Sequence, residues 1–186
     1  MIGGWGVLVN VLFNIPFSSL FILKAQSVMS SVLGYQLPML LRIAERIGLP
    51  TVAQMARRPG VQVVYRVTVH YHDGRACDSV ATLLKSVAEG ITFEVHYQNA
   101  LQGKPLTPEI APAGYEDFVQ ALQHINFDRM GDQPDLSSAA DLWLLERAAG
   151  TFAHSVVIAP HSASDLHARL VNAVKNGLPE ALRVVK

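Results

Sequence analysis

VQVVYRVTVHY, residues 61–71, sets Val61, Val63, Tyr65, Val67, Val69 and Tyr71 on one phase and Gln62, Arg66, Thr68 and His70 on the other. Side chains alternate across a strand, so this period of two predicts a strand with one apolar and one polar face. Asp73 and Gly74 follow as a turn signal. Alternation returns at Ile91, Phe93, Val95 and Tyr97, with Thr92, Glu94 and His96 on the opposite phase, which predicts another strand. Between the two, Val80, Leu83, Leu84 and Val87 have helical spacing after Asp78 and Ser79, two residues that cap helices well. A short helix ending near Gly90 is the expectation there.

Residues 98–114 carry Gly103, Pro105, Pro108, Pro112 and Gly114 and read as a loop. Tyr115, Phe118, Val119, Leu122 and Ile125 then recur at helical spacing, with Glu116 and Asp117 expected in the first turn, where the helix dipole favours acids. The apolar runs 141–147 and 152–159, joined through Ala149 and Gly150, predict a buried hairpin. Ser164 is a candidate cap for a last helix carrying Leu166, Leu170, Val171 and Val174, with Gly177 and Pro179 marking its end. The sum is an α+β domain with a sheet of about four strands covered by helices.

Fifteen Lys and Arg balance fifteen Asp and Glu, so no net field draws the chain to nucleic acid. The single Cys77 can neither close an intramolecular disulfide nor supply a thiolate zinc set. Charge is nevertheless unevenly spread, because Lys24 is the only charged side chain before Arg42. Three regions follow: an uncharged hydrophobic segment over 1–41, a basic helical connector over 42–60 and a globular α+β domain over 61–186. Within the first, WGVLVNVLFNIPFSSLFIL (residues 5–23) has the length of a membrane-spanning helix, although Asn10, Asn14 and Pro16 interrupt its apolar character. No basic residues precede it in the manner of a secretory signal. Arg42, Arg46, Arg57 and Arg58 form a flank of the kind that stays cytoplasmic beside a span. The competing expectation is a soluble chain whose apolar helices pack in the fold or in an oligomer interface.

His70 and His72 share a phase, and His96 on a neighbouring strand in that phase would complete a three-imidazole zinc site. The alternative is that all three sit on a solvated sheet face with Thr68 and Glu94. Asp128, Asp132, Asp135 and Asp141 punctuate FDRMGDQPDLSSAAD, but their spacing departs from the helix-loop-helix calcium signature, and turn-making roles are expected. His161 and His167 flank the last helix and read as surface residues. His154 and Ser155, as strand neighbours, point to opposite faces and make no nucleophile and base pair. Phosphate loops, dinucleotide fingerprints and nucleophile elbows are absent from the sequence. The expectation is therefore a non-catalytic binding or accessory protein without a cofactor, binding a protein partner or itself and held at a membrane through its N-terminal segment. The alternatives are a zinc-dependent enzyme built on His70, His72 and His96, and a soluble oligomeric or inhibitor-like module.

Overall fold

The computed structural model describes residues 35–186, and the alternating stretch at residues 61–71 supplies the middle strand of its sheet. β1 (Val61–His70) lies between β2 (Ser79–Ser86) and β4 (Leu142–Ala149). β3 (Gly90–Tyr97) and β5 (Phe152–Ile158) take the edges, giving the order β3-β2-β1-β4-β5 with every pairing antiparallel. The β4–β5 turn is two residues long and needs a left-handed first position, which Gly150 supplies at φ +58°.

The sheet has five strands because residues 79–86 are β2 and not the helix expected there. Ala81 and Leu83 pack to one face while Val80 and Leu84 pack to the other. A strand covered on both faces loses its period of two, and its apolar run then mimics a helical pattern. Pairing with β1 along one side and β3 along the other decides the conformation.

Val63, Tyr65, Val67 and Val69 of β1 lie in the larger core, beneath α3 (Pro112–His124) and α4 (Asp165–Gly177). Phe118, Leu122, Leu170 and Val174 are the helical half of that core; burying one such side chain stabilises the fold by about 1.5–3 kcal/mol. α3 opens at Pro112, so Glu116 and Asp117 fall in its second turn, beyond the strongest reach of the dipole. Ser164 occupies the cap position of α4, but its side chain makes no capping bond, and Leu166 is exposed. Gly177 ends α4 against Phe118: a Cβ there would sit 2.7 Å from the ring.

The opposite sheet face is roofed by α1, which covers residues 35–46, and α2 (Val52–Ala56). Leu40, Ile43 and Ala44 pack on Val80, Leu142, Leu144 and Val157, and Val52 and Ala56 pack on Val64 and Ala148. Thr51 and Gln54 close a reciprocal capping box at the start of α2. The end of the uncharged segment, from residue 35 onward, thus rests on the sheet. The membrane-span candidate at residues 5–23 lies outside the described residues, among which no helix is long and apolar enough to cross a membrane.

Each sheet edge is covered along part of its length. Val95 of β3 bridges to Leu106, and the loop beside β5 imitates a further strand: Val157 N–H donates to Asp132 Oδ1 at 2.7 Å and Ala159 N–H to Gln133 Oε1 at 3.0 Å. Edge pairing of this kind blocks strand addition by another chain.

Candidate functional site

The polar phase of β1 is buried, contrary to the expectation of a solvated face. Across the register, Glu94, Thr82, Arg66, Glu146 and Ser155 form one row over all five strands, on the face covered by α1 and α2. Arg66 is 2% exposed and donates to Thr82 Oγ1 at 3.2 Å and to the Pro50 carbonyl at 2.8 Å. Glu146, 6% exposed, stands opposite Arg66, and its Oε2 has no hydrogen-bond partner. Burial pushes the Glu146 carboxyl up and the Arg66 guanidinium down from their ordinary values, and their mutual attraction offsets part of each shift. The row divides the apolar packing under α1 from that under α2.

All three candidate zinc ligands lie toward one end of the sheet, but not on adjacent strands. His70 closes β1, and its Nδ1 lies 3.1 Å from both Asp78 oxygens. This hydrogen bond raises the imidazole's pKa against the opposing effect of burial. His72 contributes its backbone N–H, which donates to Asp141 Oδ1 at 3.2 Å. His96 is on edge strand β3, with Nε2 3.4 Å from Glu94 Oε2; it is registered to Val80, so β2 lies between it and β1. The shared phase of His70 and His96 is as read, but the separation across β2 is invisible to phase. Among the described residues, no three His, Cys, Asp or Glu side chains gather in a metal-ligating group.

Asp141 organises this end of the sheet. Its side chain is only 5% exposed, and it accepts from Arg75, from the His72 N–H and from His161, whose Nε2 lies 3.2 Å away. The Arg75 hydrogen bonds hold the Asp141 carboxyl below the usual carboxylate range. Arg75 also pairs with Asp73 at 2.8 Å and lies 4.9 Å over the Tyr71 ring. Asp141 therefore clasps the β1–β2 loop to the segment after β5. The other loop aspartates serve separately: Asp128 pairs with Arg147, Asp132 caps the β5 edge, and Asp135 takes a left-handed φ of +55°.

A second arrangement was not anticipated from the sequence. Tyr65 and Arg147 face each other across β1 and β4, on the side carrying α3 and α4. There they form one wall of a cleft of about 350 Å³. Val63, Val119 and Leu122 give it an apolar floor, and Tyr115, Gln123 and Asn126 bring polar atoms to it from α3 and its end. The Arg147 guanidinium carbon lies 5.9 Å from the Tyr65 ring centre and 5.3 Å from that of Phe152, while Nη1 donates to Asp128 Oδ2 at 2.8 Å. Lys85, registered opposite Val63, holds its ammonium 4.9 Å over the Tyr115 ring. Burial, with Tyr65 nearby, pushes the Tyr115 hydroxyl up to about 12. Asn126 is left-handed at φ +55°, its side chain makes no capping bond, and it lines the cleft at the end of α3. The sequence signal was slight: one arginine in an apolar strand run, and tyrosines whose apolar bodies read as core. No protein-family model matches this chain, and no curated protein is significantly similar to it in sequence.

Proposed function

We propose that this is a non-catalytic binding protein and that the cleft between β1, β4 and α3 holds its ligand. The observation that carries this reading is Arg147: a guanidinium beside two aromatic rings at the wall of the cleft, ion-paired among the described residues with the exposed Asp128. The volume is within the range of small-ligand sites, and the lining joins apolar and polar groups in similar measure, so that polar contacts can orient a ligand over the apolar floor. Tyr115 and Arg147 keep one protonation state across the neutral range, which suits holding a ligand and not moving a proton. In this reading the uncharged N-terminal segment, with Lys24 its one charge before Arg42, attaches the binding domain to a membrane or a partner. The arginines at 42, 46, 57 and 58 favour the cytoplasmic side for that domain.

Amide chemical-shift mapping of the full chain with a panel of small neutral, anionic and cationic aromatic compounds tests the site. The expected result is perturbation centred on Tyr65, Tyr115, Asn126 and Arg147. Perturbations that cluster at another surface, or none at all, would remove the cleft from consideration. Carbonate washing of fractionated cells tests the attachment, and full release from the membrane pellet contradicts it.

A further inference from the structure

We propose that the ligand of this cleft is a small monoanionic carboxylate with a flat apolar body, and that Asp128 occupies the carboxylate position until the ligand displaces it. The inference rests on the binding reading above and adds the chemical class. Arg147 presents a planar fork of donors, a geometry that matches a carboxylate through two parallel hydrogen bonds. Its present acceptor, Asp128, sits on the short turn Phe127–Arg129 and is 44% exposed, so exchanging it for another carboxylate costs little.

Charge sets the ligand's valence. Arg147 is the cationic side chain of the cleft lining, and with Asp128 displaced its single positive charge is left for an incoming monoanion. The Tyr115 hydroxyl, protonated across the neutral range, is available as a donor to an anion. The apolar floor of Val63, Val119 and Leu122 and the two tyrosine rings fit a flat hydrocarbon body. The space of about 350 Å³ limits that body to a ring or a short chain.

The test uses benzoate and its neutral isostere benzamide, titrated into the full chain and into Asp128→Asn, with amide shifts identifying the site. Benzoate should bind in the cleft, and D128N should tighten it about fivefold by removing the competing carboxylate, the worth of an exposed ion pair. Benzamide should bind more weakly and ignore the substitution. Equal binding of the two compounds, or benzoate binding unchanged by D128N, overturns the anion assignment while leaving the cleft a binding site. Failure of every compound to perturb the cleft overturns the binding reading as well. Should D128N fail to fold, the benzoate and benzamide comparison on the unaltered chain decides the charge preference by itself.

Discussion

Glu146 and Arg66 stand directly opposite each other on β4 and β1, both buried under α1 and α2, yet burial outweighs their attraction in setting the state of each. The folded chain therefore holds the Glu146 proton to a higher pH than the unfolded chain does. Below the unfolded value both states are protonated and the contribution is fully present. As pH rises the unfolded state ionises first, and stability is lost through the raised folded value. Glu146→Gln, which mimics the protonated acid, should match the parent's melting temperature near about pH 4 and exceed it near about pH 7. A less stable Gln variant at neutral pH would mean that the ionised pair is a net source of stability.

Asp141 titrates with the opposite sign. Its carboxyl is held below the usual carboxylate range, so its contribution is present above the ordinary value and is lost as pH falls through the lowered one. Asp141→Asn should cost about 1.5–3 kcal/mol near neutral pH, the worth of hydrogen bonds to a charged group. Denaturant titrations at several pH values should show the deficit shrinking in acid. A constant deficit would assign the role of Asp141 to packing.

Gly177→Ala places a Cβ 2.7 Å from the Phe118 ring, and Phe118 is fully buried between the helices and the sheet, with little room to yield. Overpacking costs about 1–3 kcal/mol, more than the gain in helix propensity from Gly to Ala of at most about 1 kcal/mol. The variant should be destabilised in thermal melts. A stabilised single variant would show that the close approach relaxes freely.

Removing residues 1–34 should leave a cooperatively unfolding domain, because the described helices and strands close their own cores. Removing residues 1–41 takes away Leu40, which is fully buried on the sheet, and should lower stability by at least about 2–5 kcal/mol, as a large-to-small change there would. Circular dichroism melts of the two truncations distinguish them. Equal stability would mean that residues 35–41 add nothing to the fold.

Legibility followed the number of covered faces. β1 and β3 were readable because enough of each strand keeps two chemically different phases, and the hairpin of β4 and β5 because its runs are short and bounded by Gly150. β2 was not, since apolar side chains leave it in both directions. The polar phase of β1 is visible in sequence, but its burial depends on α1 and α2 folding back over it. His70 and His96 could be assigned a face and not a separation. The cleft depends on register, which sets Tyr65 opposite Arg147, and on the packing of α3 that brings Tyr115 beside them.

The central claim is that Arg147 makes the cleft a binding site, and calorimetric titration of benzoate into the full chain and Arg147→Gln tests it most directly. Arg147 is partly exposed and its ion pair with Asp128 lies at the surface, so the substitution should shift stability by no more than about 1 kcal/mol. Benzoate affinity should fall at least about tenfold, the loss of roughly 1.4 kcal/mol expected when a charge-assisted pair is removed. Equal affinity in a variant that melts like the parent would contradict the account.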